Sequence, residues 1–186
     1  MKRPRNAGKT VSNANYPLPT DQRFRAGRIS PQGIRNVFYI FACGKGKRPL
    51  YLQLNDRRIR VSRVTELEYA LLGAGFPFRS HQHMDAWIGT LKEFMLSTSG
   101  IRRPGSASLD LAYVACGRYE GFWEIGLSPW DMAAGALIVL EAGGLVTDLA
   151  GGQNFLESGN ILAGNPKIHA EMLRRLQPHL TEDLRR

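Results

Sequence analysis

The spacing of hydrophobic residues predicts a series of helices along most of the chain. Apolar residues recur every three or four positions in residues 81–98 and again in 106–116, which is typical of helices with one buried face. Residues 129–142 are apolar on nearly every side, so we expect a helix covered on more than one face. A fourth helix begins at Asn165, which can cap it, with Pro166 at the first helical position.

Short apolar runs between these helices predict strands. They are residues 37–43, 59–62, 69–77, 120–126, 145–147 and 160–163. Strands alternating with helices indicate an α/β domain from about residue 55 to 180. Residues 1–36 mix Arg, Asn, Pro, Ser and Gly without an apolar period, which favours an irregular or disordered segment.

The net charge of +9 is concentrated at the N-terminus. Residues 1–50 carry eleven basic side chains and one acid, Asp21, whereas the rest of the chain is near neutral. A basic tail of this kind can bind nucleic acid through phosphate contacts, with Tyr16 and Phe24 available for stacking. The charge therefore keeps a nucleic-acid partner open for this segment alone.

Other features of composition favour a cytoplasmic protein. The two cysteines, Cys43 and Cys116, are too few for a disulfide scaffold. No apolar run approaches the roughly 20 residues that a bilayer requires, so we expect no membrane partner. The basic N-terminus is not followed by the apolar stretch of a secretory signal.

The first candidate site is the start of the helix at residues 129–142. Ser128 can cap this helix, and Asp131 occupies the third helical position of a variant capping box. Asp131 then either interacts only with the helix terminus or serves as a rigid oxygen ligand for Mg²⁺. In the second interpretation Glu124, at the end of the preceding strand, faces the same cleft.

The second candidate site is the turn that opens the helix at residues 106–116. Gly105, Ser106 and Ala107 are small and allow a ligand to approach the backbone closely. The first amides of a helix lack intrahelical partners and suit a phosphate. A plain cap by Ser106 explains the same residues equally well.

Three strings resemble the C-terminal half of the inositol monophosphatase family almost without gaps. They are RRPGSASLDLAYVACGRYEGFWE, GLSPWDMAAGALIVLEAGGLVTD and ESGNILAGNP, and they contain the family's W-D-x-A-A-G and E-A-G-G elements. The resemblance runs from about residue 54 to 180. It implies the C-terminal half of the layered αβαβα sugar-phosphatase fold, preceded here by the irregular N-terminal segment.

The resemblance also implies a function and a set of site residues. The family consists of Mg²⁺-dependent phosphomonoesterases, forms homodimers, and includes fructose-bisphosphatase and 3′-phosphonucleotide phosphatase relatives. By resemblance Asp131 binds metal and substrate, Gly105, Ser106 and Ala107 contact substrate, and Glu124 accepts hydrogen bonds from inositol hydroxyls. The implied substrate is a small phosphate monoester such as inositol 1-phosphate.

The family's remaining metal ligands are missing from this sequence. The E-E pair and the D-P-[LI]-D-G-T motif, which belong to the family's N-terminal half, do not occur in it. We therefore expect a truncated form with weak or no activity, in which residues 1–50 derive from a truncated, frameshifted or misassigned gene start and residues 51–186 form the family domain. The alternative is a non-catalytic remnant whose basic tail binds nucleic acid.

Overall fold

The computed structural model describes residues 52–55 and 57–185, together with the backbone of two earlier strands. These strands, β1 (Phe24–Arg25) and β2 (Phe38–Ile40), join β3 (Leu52–Leu54) and β4 (Arg57–Arg58) in an antiparallel sheet of order β1-β2-β3-β4. The strand predicted at 37–43 is thus confirmed at β2. Most of the predicted irregular segment, residues 1–50, lies outside the described residues.

The second sheet has five strands and carries the candidate site. Its strands are β5 (Leu71–Ala74), β6 (Gly100–Arg102), β7 (Gly121–Glu124), β8 (Leu145–Thr147) and β9 (Ile161–Gly164). The order is β6-β5-β7-β9-β8, with β5 parallel to both of its neighbours and β9 antiparallel to both of its own. Parallel β5 and β7 end at the same edge, where loops can form a site.

Five α-helices occur in the described part of the chain. They are α1 (Met84–Ser97), α2 (Ala107–Ala115), α3 (Pro129–Glu141), α4 (Phe155–Ser158) and α5 (Pro166–Leu176). Short 3-10 helices lie at Leu67–Tyr69, His81–His83, Gln177–His179 and Asp183–Arg185. The predicted start of α5 is confirmed, because the Asn165 side chain accepts hydrogen bonds from the Lys167 and Ile168 amides.

The alternation of side chains along β7 separates two hydrophobic cores. Phe122 packs with α2, α3 and the small sheet, whereas the next residue, Trp123, packs with α1 and α5 on the other face. The Trp123 and Phe94 rings meet edge to face, with centroids 4.8 Å apart. The layers therefore run sheet, helices, sheet, helices, which confirms the predicted layered α/β architecture.

Local differences from the prediction have identifiable causes. The strand predicted at residues 59–62 is wrong: β4 comprises Arg57–Arg58, and the Val61 amide donates to the Ala142 carbonyl at the end of α3 instead of to a strand. The break predicted at Ser99 and Gly100 overlaps β6, which begins at Gly100. This strand is too short to show an alternation of apolar and polar residues. The four-residue α4 was not predicted for the same reason.

Candidate functional site

A cleft of about 300 Å³ lies at the edge where β5 and β7 end. Its walls are the loop after β5, the start of α2, the end of β7 and the start of α3. All five of the site residues predicted from the sequence line it: Gly105, Ser106, Ala107, Glu124 and Asp131. The chain brings them together from three separate elements.

The start of α2 opens directly into this cleft. Gly105 has φ +85°, a conformation that favours glycine, and an added Cβ would lie 3.0 Å from the Arg103 guanidinium. Ser106 is the N-cap residue, and its carbonyl accepts from the Leu109 and Asp110 amides at 2.9 Å each. The Ser106 hydroxyl makes no capping hydrogen bond. The hydroxyl and the first-turn amides are thus placed to meet an anion.

Asp131 links the starts of two helices. Its Oδ2 accepts a hydrogen bond from the Ser128 amide at 3.1 Å, and its own carbonyl accepts from the Ser108 hydroxyl at 2.9 Å. Arg79 Nη1 lies 3.9 Å from the same Oδ2 and donates to Ser128 Oγ at 3.1 Å. The predicted helix-start role of Asp131 is therefore present, with a guanidinium beside it.

Glu124 extends from the end of β7 beneath the loop that follows β5. A side chain at Gly75 would overlap the Glu124 carboxyl group, so the carboxyl can take this position only because residue 75 is a glycine. Burial raises the pKa of Glu124 to about 7, and the negative charge of Asp131 adds to the rise. Arg103 and Arg79 act in the opposite direction. Near neutral pH this carboxyl can accept or donate a hydrogen bond.

Arg103 supplies positive charge to the cleft and was not predicted as a site residue. Its guanidinium carbon lies 4.7 Å from the ring centroid of Phe76 and 5.1 Å from that of Phe78. Both distances are within the range of cation–π attraction, which holds the side chain over the loop. This stacking could not be predicted from the sequence, because the loop and the arginine are 25 residues or more apart.

Asp110 is the second cleft residue that sequence reasoning missed. It lies in α2, only 1% of it is exposed, and its Oδ1 has no hydrogen-bond partner among the described residues. Burial raises its pKa to about 7, Glu124 adds to the rise, and Arg103 opposes it. A charged residue within an apolar helix was the signal that could have identified it.

The donor groups of the described part of the chain do not fit a Mg²⁺ site. No group of three His, Cys, Asp or Glu side chains there is arranged to hold a metal ion. The Asp131 carboxylate already accepts the Ser128 amide and lies beside Arg79. Mg²⁺ keeps its hydration unless several oxygen ligands replace it, so Asp131 alone is insufficient.

The helices of the described residues carry no candidate membrane span, being too short or too polar to cross a bilayer.

The sequence and fold match one family across most of the chain. Residues 34–182 match the model of the inositol monophosphatase family. This match begins before residue 54, near which the resemblance seen in the sequence begins. The Nus factor SuhB of Pseudomonas aeruginosa is 57% identical over 135 residues, which are 72% of this chain and 50% of that protein. The Nus factor SuhB of Escherichia coli K12 is 44% identical over 82% of this chain and 55% of its own length.

Solved structures agree with these relatives. The extragenic suppressor protein suhB of Bartonella henselae has a TM-score of 0.69 and 42% identity, covering 78% of this chain and 54% of that one. The inositol monophosphatase of Anabaena has a TM-score of 0.68 and 40% identity, covering 77% and 55%. The chain thus spans about half the length of the relatives it matches. It belongs to the inositol monophosphatase family.

Proposed function

We propose that this chain carries the substrate-binding half of a phosphatase site and binds a phosphate monoester of a polyol, such as inositol 1-phosphate. Membership of the inositol monophosphatase family supports a phosphoric monoester hydrolase as the class. The observation that carries the proposal is that one cleft is lined both by anion-binding groups, the start of α2 and Arg103, and by the carboxyls of Glu124 and Asp131.

The anion-binding groups of the cleft suit the phosphate group. The first-turn amides of α2 carry the positive end of the helix dipole, and the Ser106 hydroxyl adds a donor. Arg103 lines the same cleft, and its positive charge lowers the pKa of both Glu124 and Asp110. A guanidinium and helix amides together recognise a phosphate dianion well.

The carboxyl groups of the cleft suit hydroxyl groups. Glu124 lines the same cleft as the start of α2, and its oxygens can accept hydrogen bonds from a polyol. Its pKa of about 7 also lets it donate when protonated. Gly105, Ser106 and Ala107 therefore bind the phosphate side of the substrate in this proposal, and Glu124 and Asp131 the remainder.

We expect weak hydrolysis or none from this chain. In the family Mg²⁺ supplies an activated water and stabilises the leaving oxygen, but the carboxylates described here do not fit that ion. Asp131 remains the proposed metal ligand for a site completed by further carboxylates. The chain itself would bind and orient the ester without activating a nucleophile.

Two measurements on the full chain test this proposal. Isothermal titration with myo-inositol 1-phosphate should detect saturable binding that weakens in the Arg103→Gln variant, with Arg63→Gln as a matched control on the surface. Phosphate release with Mg²⁺ should stay near the background rate. Absence of binding contradicts the proposed site, whereas robust turnover contradicts the expected inactivity.

The substrate class leaves two alternatives within the same fold. Fructose 1,6-bisphosphate and a 3′-phosphonucleotide are the substrates of related phosphatases, and both carry a phosphate monoester beside hydroxyls. Glu124 favours a polyol ring over a nucleobase, because its acceptor oxygens match hydroxyl donors. Titrating the three compounds against the same protein would rank them.

An interaction with the transcription machinery is a second candidate function. The relatives from Pseudomonas aeruginosa and Escherichia coli are named Nus factors. In this chain four exposed arginines, Arg57, Arg58, Arg60 and Arg63, add to the basic segment 1–50. A gel shift with RNA that weakens with salt and with Arg57→Gln plus Arg60→Gln would support a polyanion surface. Unchanged mobility at low salt would contradict it.

Assembly and location follow the family in this proposal. We expect a homodimer in the cytoplasm, and light scattering of the purified chain would measure the mass directly. A monomer at micromolar concentration would contradict the assembly.

A further inference from the structure

Arg79 lines the cleft but has no role in the function proposed above. It lies in the loop after β5, and its side chain is 69% exposed. Its Nη1 donates a hydrogen bond to Ser128 Oγ at 3.1 Å and lies 3.9 Å from Asp131 Oδ2. Arg79 therefore links two walls of the cleft, the loop after β5 and the start of α3, and places a positive charge beside the Asp131 carboxylate.

The acids that line the cleft do not converge on a metal ion within the described residues. Asp131 Oδ2 already accepts a backbone amide and faces Arg79. The Glu124 carboxyl fills the space that Gly75 leaves, and Asp110 is 1% exposed. A divalent cation at Asp131 would thus exchange its hydration for few oxygens, and the guanidinium beside it would repel it.

The loop after β5 holds two guanidinium groups at this cleft. Arg103 lies over the rings of Phe76 and Phe78, at 4.7 and 5.1 Å from their centroids, and Arg79 directly follows Phe78 in the chain. Both positive charges lower the pKa of Glu124, so both act on the same part of the cleft. Guanidinium groups bind phosphate through charge-assisted hydrogen bonds, and the start of α2 adds its first amides.

We infer that Arg79 binds the phosphate group and, in this chain, takes the place of the family's metal ion beside Asp131, so that the cleft binds phosphate monoesters without Mg²⁺. This inference rests on the proposed function and departs from the metal dependence that the family resemblance implies. The Nη1 atom holds the start of α3, while the other donors of this exposed side chain can meet the phosphate. A guanidinium neutralises a phosphate but does not activate a bound water as a metal ion does, which agrees with the weak hydrolysis expected above.

Titration calorimetry on the full chain tests the inference with myo-inositol 1-phosphate as the ligand. The Kd is measured in excess EDTA and again in millimolar MgCl₂. For the wild-type chain we expect the two values to agree within about twofold. In EDTA, Arg79→Gln should weaken binding by at least about threefold, because one charge-assisted contact to the phosphate is lost. Arg79→Lys keeps the charge without the planar fork and should lose less.

Arg174→Gln is the matched control. Arg174 is 67% exposed and pairs with the Glu171 carboxylate, as Arg79 does with Asp131, but it does not line this cleft. This variant should leave both Kd values unchanged.

Two results overturn the inference while the proposed function stands. One is binding by the wild-type chain that Mg²⁺ strengthens tenfold or more, or that occurs only with Mg²⁺. The other is an unchanged Kd in Arg79→Gln in EDTA, with circular dichroism showing an intact fold. If the ester binds to the wild-type chain under neither condition, the proposed function itself fails, and the inference fails with it.

Discussion

Two buried aspartates of this protein have opposite surroundings. Asp148 is 5% exposed, and its carboxylate accepts hydrogen bonds from the amides of Ala150, Gly152 and Asn154 at 3.0, 2.7 and 3.2 Å. Asp110 is 1% exposed and has an oxygen without a partner among the described residues. The first arrangement orders a loop. The second leaves a buried carboxyl oxygen without a partner, which disfavours the charged form of the side chain.

The pH dependence of stability is the largest expected consequence of this difference. The pKa of Asp110 is about 7 in the folded chain and 3.8 ordinarily, so the folded state binds its proton more tightly. The stabilisation is complete below the ordinary pKa, declines as pH rises, and is lost above about pH 7. Because one pKa unit is worth about 1.4 kcal/mol, the fall can reach about 4 kcal/mol.

Urea unfolding at pH 4.5 and pH 8 measures this fall. Asp110→Asn should reduce the difference and be more stable than the wild-type chain at pH 8, because it removes the buried charge. Part of the difference should remain, since the pKa of Glu124 is also raised to about 7. Glu157→Gln, at an exposed acid on α4, should leave the profile unchanged. If the free energy of unfolding fell equally with pH in the wild-type chain and in Asp110→Asn, Asp110 would not be the source of the fall.

Removal of Asp148 should have the opposite effect on stability. Asp148→Ala leaves three backbone amides of the 150–154 loop without their acceptor, and we expect a loss of about 3 kcal/mol. Thermal and urea unfolding would measure it at pH 8. Asp148→Asn keeps one acceptor oxygen and should lose less. If Asp148→Ala were as stable as the wild-type chain, the contrast with Asp110 would be lost.

A third variant tests Gly75, whose missing side chain makes room for the Glu124 carboxyl. In Gly75→Ala the new methyl group would overlap the Glu124 carboxyl, so that side chain must move, and we expect a loss of about 1–3 kcal/mol. Binding of myo-inositol 1-phosphate should weaken as well. Gly100→Ala on β6 is the control, since its nearest neighbour would lie at an ordinary 3.4 Å. Full binding in Gly75→Ala would mean that Glu124 does not contact the ligand.

The sequence predicted the long helices and most of the strands, but neither β6 and α4 nor the whole cleft. The periods of α1, α2 and α3, the Asn165 cap and the placing of Gly105, Ser106, Ala107, Glu124 and Asp131 in one cleft follow from local patterns and the family resemblance. Arg103 could not be found in this way, and the local sign of Asp110 was no more than a charged residue within an apolar helix. Their importance depends on Gly73, Glu124 and the Phe76 ring, which reach them through the sheet and not along the chain.

The smallest expected effect concerns charges on the surface far from both aspartates. Arg175 on α5 donates to Glu93 on α1 at 2.7 Å, and both side chains are 31% exposed. Solvent screens such pairs, so Glu93→Gln should cost at most about 1 kcal/mol and change little with pH between 5 and 8. Glu157→Gln serves again as the control. A loss of stability in Glu93→Gln as large as that in Asp148→Ala would exceed what a screened ion pair supplies. The ion pair between α1 and α5 would then matter as much as the hydrogen bonds of Asp148 to the 150–154 loop.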